Sequence, residues 1–417
     1  MTGTHLHPET PPASPQIRKA VLSVLIPLVA LTIVGLVILW PTGESPRIEA
    51  GVRTDAEILE VRACENVENR QPGGHNHGGQ PSTECQEADV LIESGPDQGK
   101  ETIVPLWFGE GAPTFEAGDK VVLSGVPDAP LESRYEVTDF QRGMPLLWLG
   151  IMFGVAVVLL SRWKGLAALA GLAISVLVIV VFLLPALLSG KEPLAVAVVG
   201  SSVIMIATLY LAHGVSIRTS VALIGTLISL TLTGVLGVVF TALGQFTGLV
   251  DHAAAYMGTV DSEFNIRGLL LAGLVVGALG VLDDTTVTQS ATVWELAAAD
   301  PSSSRAQLFA AGMRIGREHV AATVNTLVLA YVGASLPLLM LFNVAGIGVA
   351  DALTTEAVAQ EVVRALVGSL GIIAAVPVTT GLAVLAVRHK QDPVPAKKGG
   401  GHGRGGPRAR RAASARR

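Results

Sequence analysis

The sequence predicts an α-helical integral membrane bundle that carries a small external β domain, and three observations lead there. Half of the residues are hydrophobic and 15% are charged, with a mean hydropathy of +0.54, a balance outside that of soluble domains. The apolar residues gather into runs of about 20, the length a helix needs to cross a hydrocarbon core. Between the first two runs lies a segment of short β-branched stretches separated by turn residues.

About eight runs reach spanning length: residues 20–40, 145–161, 165–184, 193–212, 220–243, 268–287, 324–344 and 365–387. Lysine and arginine close to a span tend to stay on the cytoplasmic side. Arg18 and Lys19 therefore put the N-terminus inside, and alternation from there puts Arg162, Lys164, Arg218, Arg305, Arg314, Arg317, Arg388 and Lys390 inside as well. The short outer connections carry mainly Lys191, Arg267 and Arg364. The first run has the length of a full span and enters Trp40-Pro41 without a small-x-small cleavage site, so an uncleaved signal anchor is expected rather than a cleaved signal peptide. The expected organisation is a cytoplasmic tail (1–19), the anchor helix (20–40), an external β-rich domain (41–143), a seven-helix membrane domain (145–387) and a basic cytoplasmic tail (388–417). The expected location is the cell membrane, with multiple passes and both termini cytoplasmic.

In the external segment, strands are expected near residues 56–63, 88–93, 102–107, 120–123 and 134–140. Turn signals such as Ser94-Gly95-Pro96-Asp97 and Ala117-Gly118-Asp119 separate them. Five short strands suit a small barrel, OB-like in outline. Cys64 and Cys85 flank a Gly-rich insert, Gln71 to Gln80, that contains His75 and His77. Outside the cell the cysteines can form a disulfide that closes this loop. The alternatives are a zinc or copper site built with the histidines, whose spacing matches no standard zinc signature, and two free thiols.

The tail beyond Pro395 holds Gly399 to Gly401 and then Arg408, Arg410, Arg411, Arg416 and Arg417. It has too few apolar residues to pack, so disorder is expected. Anionic lipids are its expected partner, at roughly 1 kcal/mol per basic residue near the bilayer. No aromatic platform accompanies the arginines, which argues against nucleic acid.

The chemistry concentrates at Val281-Leu-Asp283-Asp284-Thr-Thr-Val-Thr288-Gln289, where two carboxylates end an uncharged apolar run that begins at Gly268. Ionised carboxylates cost roughly 2.5 to 3.5 kcal/mol each near a bilayer centre, so they face protein or water. On a continuing helix Asp284, Thr288, Ala291 and Glu295 share one stripe, while Asp283, Val287, Ser290 and Trp294 share the next. Asp283, Asp284, Thr288 and Glu295 are thus the candidate ion- or substrate-binding residues. The competing expectation leaves Asp283 near the inner interface, where water already reaches it. Gly273, Gly277 and Gly280 upstream offer a small-residue surface on which another helix could pack.

The segment from Gly280 to Gln289 resembles the signature region of the YibE/F-like family of multi-pass bacterial membrane proteins, and the arrangement of anchor, external β segment and helical region is similar to that family's. The resemblance runs from about Val52 to Val387 and implies a permease-like protein. It supplies no catalytic residues, and the insert between Cys64 and Cys85 has no counterpart in the pattern. The function expected first is transport of an ion or small solute by way of the membrane carboxylates. A non-transporting envelope scaffold or assembly factor is the alternative. No enzymatic activity and no cofactor are expected: adjacent aspartates on one helix project about 100° apart, so aspartyl chemistry would need a partner from another span.

Overall fold

A computed structural model describes residues 15–42, 52–64, 85–107, 111–127, 129–249 and 265–387. The basic tail, residues 388–417, and the insert between the cysteines, residues 65–84, lie outside the described residues, so the expectations for them are not addressed.

The chain opens with helix α1 (Pro15–Ile38) and continues into strands β1 (Val52–Ala63), β2 (Gln86–Ile92), β3 (Glu101–Pro105) and β4 (Lys120–Gly125), a short helix α2 (Leu131–Arg134) and strand β5 (Tyr135–Phe140). The five strands form one antiparallel sheet in the order β3-β2-β1-β4-β5. Alternation explains why: in β2 Ala88, Val90 and Ile92 point inward, and in β3 Thr102 and Val104 do, the period-2 pattern of a sheet with one wet face. These residues pack with Ile58, Val121, Leu123, Val137 and Phe115, whose ring stacks on Phe140 at 4.9 Å. The expected OB-like barrel is not formed. Among the described residues no ladder joins β3 to β5, so the sheet is open.

Cys64 and Cys85 are joined in a disulfide, with Cα atoms 5.4 Å apart. Cys64 N–H also donates to Cys85 O at 3.1 Å, which extends the β1–β2 ladder past its last pair, Ala63 and Gln86. The pairing is the first of the three alternatives the sequence left open; His75 and His77 lie outside the described residues.

Asp97 anchors the turn that follows β2. Its carboxylate accepts from Lys100 Nζ at 2.7 Å, Tyr135 OH at 2.8 Å and Arg134 Nη1 at 2.5 Å. Hydrogen bonds from Lys100 first and then Tyr135 hold its pKa at about 2, against an ordinary 3.8. The folded sheet therefore binds this proton less readily than the unfolded chain does. Stability from Asp97 is fully present above pH 3.8 and is lost as pH falls through about 2. Hydrogen exchange at the β1–β5 amides of the full chain is expected to speed up across that window. Asp97→Asn should remove that pH dependence, and an unchanged profile would show that the network contributes nothing.

The membrane region begins with α3 (Gly143–Val178), a π-helical turn (Ile179–Leu183) and α4 (Leu184–Leu188). It continues through α5 (Pro193–His213), α6 (Ile217–Leu243), α7 (Ile266–Ala299), α8 (Arg305–Ala334), α9 (Leu336–Val344), α10 (Val349–Thr354) and α11 (Glu356–Ala386). Among the described residues six helices are long and apolar enough to cross a membrane, and the α8–α9 pair, bent by 55°, would add a seventh. The bend replaces the straight run expected over 324–344. Pro337 sits at the start of α9, lacks an N–H and clashes with the preceding turn.

α3 reverses within itself. Arg162 has φ 52° and ψ −127°, and a methyl group on Gly165 would lie 2.5 Å from Val157 O. Eight residues of straight helix would hold these apart by about 12 Å. A methyl group on Gly154 would likewise lie 3.8 Å from Leu169 Cδ1, so the stretches before and after Arg162 lie side by side.

α6, α7, α8 and α11 form the centre, and each sequential pair runs antiparallel. Thr226 Oγ1 lies 2.5 Å from Thr286 Oγ1 across α6 and α7. Gln289 Nε2 donates to Gly312 O at 2.9 Å and Thr380 Oγ1 at 2.7 Å, which joins α7 to α8 and α11. Such bonds and close backbone approach hold membrane helices together where lipid is as apolar as leucine. The glycines that permit the approach are Gly225 against Thr379, Gly371 against Thr233, and Gly316 against Val376 and Gln289. The expected packing surface of Gly273, Gly277 and Gly280 is not used that way. Among the described residues Gly273 and Gly280 have no neighbour within 4 Å of where a Cβ would point, and a methyl group on Gly277 would meet the Tyr331 hydroxyl at 3.3 Å.

Candidate functional site

α7 starts where Asn265 Oδ1 accepts from Gly268 N–H at 2.9 Å, a side-chain cap that satisfies one of the free amides at a helix N-terminus. Good helix formers such as Leu296, Ala297 and Ala298 carry it on to Ala299. Asp283 and Asp284 consequently lie near the middle of the helix rather than at its end. Ser290 Oγ donates to Arg218 O at 3.0 Å, which aligns Ser290 with the start of α6. The aspartates sit about 9 Å further along the axis, toward the bundle centre.

The helical period then separates the two carboxylates. Asp284, Thr288 and Glu295 are exposed along one open face of α7, continuous with Gly273, Gly277 and Gly280. Asp283 turns toward the protein, and its Oδ1 is buried without a hydrogen-bond partner. An uncompensated buried carboxylate oxygen is costly, and native structures seldom leave one without a reason.

His319 of α8 joins the group. Its Nε2 lies 3.7 Å from Asp284 Oδ2, too far for a hydrogen bond, and is itself buried without one. The imidazole and the Asp284 carboxylate come together only because α7 and α8 pack antiparallel. The sequence offered no cue to this, since His319 lies in a stretch read as an inner connection and no spacing relates it to Asp284. Among the described residues no group of three or more His, Cys, Asp or Glu has the arrangement of a metal site.

Glu295 does not join this group. It is about 16 Å further along α7, where its Oε1 lies 3.8 Å from Arg218 Nη1. Thr288 lies between the two. It lines the wall of an open cavity of 730 Å³ that also contains Glu295, Arg218, His213 and Lys164. The four candidate residues thus lie along α7, with Asp284 beside His319 and Asp283 turned toward the protein at one end, and Glu295 in a cavity at the other.

Comparison with known proteins gives one finding. No curated protein and no solved structure matches the chain. The model of the YibE/F-like protein family matches residues 149–389, which takes in α7, α8 and all four candidate residues. Because the match covers more than half of the 417 residues, the chain belongs to the YibE/F-like family.

Proposed function

We propose that this chain is a permease of the cell membrane that moves an ion or small solute, with Asp283 and Asp284 of α7 as the groups that take up and release a proton or cation. The observation that carries the reading is that two buried polar atoms without hydrogen-bond partners among the described residues, Asp283 Oδ1 on α7 and His319 Nε2 on α8, occur on neighbouring helices, with His319 Nε2 3.7 Å from the Asp284 carboxylate. Ionisable groups inside membrane helices serve ion and proton pathways far more often than packing. The open face of α7 supports the same reading, since Asp284 and Thr288 are exposed along a line that ends in a cavity. No covalent chemistry is assigned.

The proposed architecture has about eight crossings, with the two arms of α3 counted separately at the Arg162 reversal and the bent α8–α9 pair counted as one. Both termini are then cytoplasmic, the β sheet is external, and Lys164, Arg218 and Arg305 are inside, in keeping with the positive-inside bias. Cysteine labelling from each side of the membrane tests this. A cysteine replacing Ser303 should be labelled only from the cytoplasm and one replacing Thr138 only from outside; the reverse pattern would overturn the topology. Function itself is tested by flux into proteoliposomes across a panel of ions and small metabolites. A second reading, a non-transporting envelope scaffold, draws on the open sheet edge at β3, where Ile103 is exposed. It would be favoured by the absence of flux across a broad panel.

A further inference from the structure

The cavity at the Glu295 end of α7 has a chemistry of its own. Its titratable groups come from separate elements: Lys164 just beyond the α3 reversal, His213 at the end of α5, Arg218 at the start of α6 and Glu295 on α7. Among the described residues Lys164 and His213 make no hydrogen bond or ion pair. Arg218 is only loosely engaged, because Glu295 Oε1 stands 3.8 Å from its guanidinium, beyond hydrogen-bond reach. The rest of the wall is largely apolar, with Val287, Ala291 and Leu296 facing the space. A volume of 730 Å³ is that of a small-molecule site.

We infer that this cavity binds an anionic amphiphile, with the anionic head between Lys164 and Arg218 and the apolar body against Val287, Ala291 and Leu296. Charge balance decides the sign of the head: two permanent cations and a histidine meet one carboxylate. An inorganic anion would leave the apolar wall unused, and a neutral hydrophobe would leave an excess of positive charge in a half-enclosed space, since the single carboxylate, Glu295, stands against Arg218 alone. Guanidinium and ammonium groups are the usual partners of phosphate and carboxylate. Such a head on such a body occurs in phospholipids and in soluble amphipathic acids, and the cavity selects for what they share.

The site is separate from the Asp283–Asp284–His319 group, so binding at equilibrium tests it whether or not the chain transports anything. The experiment is calorimetric titration of the full-length, detergent-solubilised protein with dioctanoyl phosphatidic acid, decanoate, inorganic phosphate and dioctanoyl phosphatidylcholine. Saturable binding is expected for phosphatidic acid, for decanoate, or for both. Preference between them identifies a lipid or a soluble acid as the source. The double variant Lys164→Gln with Arg218→Gln should weaken that binding about tenfold or more, the worth of a hydrogen bond to a charged group. Lys164→Gln alone, at an exposed position, should give part of the loss and guards against a folding defect in the double variant. Glu295→Gln should tighten binding, because it removes the carboxylate that competes for Arg218. The inference is overturned if the double variant binds as the unmodified protein does, if phosphatidylcholine binds equally well, or if inorganic phosphate alone binds as tightly as the amphiphiles.

Discussion

Asp283→Asn is expected to lower flux by about 100-fold or more, in the range found when a positioned proton-transfer group is removed, while expression and melting temperature stay near those of the unmodified protein. Asparagine keeps the size and hydrogen-bonding capacity of the side chain but cannot ionise. Among the described residues Asp283 Oδ1 has no hydrogen-bond partner, so the exchange breaks no observed ion pair and relieves a desolvation cost. Asp284→Asn should behave alike. Its contact with His319 is long at 3.7 Å and its side chain is 73% exposed, so the stability at stake is under about 1 kcal/mol. His319→Gln removes the neighbouring imidazole and should reduce flux as well. The measurement pairs proteoliposome flux with detergent-state melting for each variant. If Asp283→Asn and Asp284→Asn both keep full flux, or both fail to fold, the carboxylates are structural and the permease reading loses its residue-level support.

Cys64→Ser is expected to destabilise the β1–β5 sheet by about 3 kcal/mol, from the chain entropy of closing a loop of this length. The bridge spans 21 residues and lies at the open end of the β1–β2 ladder, where the strands would otherwise have to hold a Gly-rich connection together unaided. Hydrogen exchange should rise across β1 and β2, while α6, α7 and α11 keep their protection because their contacts are made in a different core. Peptide mapping without reductant should find one bridged pair. Two thiols that alkylate in unreduced protein, or equal exchange in Cys64→Ser, would show that the bridge does not hold the sheet.

Much of this molecule was legible from local pattern. The five strands follow from alternation and turn residues, and all five form within a few residues of where the sequence expects them. The shared face of Asp284, Thr288 and Glu295 follows from the helical period alone. The open sheet was not legible, because whether β3 and β5 meet depends on twist and register summed over the whole domain. The role of the glycines was misread for a related reason. Gly273, Gly277 and Gly280 have the spacing of a packing surface, yet the close approaches fall at Gly225, Gly316 and Gly371, which carry no stronger signal.

The sequence by itself determined what each segment is: which stretches are apolar enough for a membrane, which alternate as strands, and which residues share a face of the helix that carries the two carboxylates. These properties depend on residues a few positions apart, and the helix and strand repeats relate such neighbours directly. Only the tertiary structure decided what meets what. It brought His319 to Asp284, left Asp283 Oδ1 without a partner, sent Glu295 to Arg218, and gathered Lys164, His213 and Arg218 around one cavity. Each of these meetings joins different helices, and their relative placement is set by the packing of many side chains at once, which no local spacing encodes.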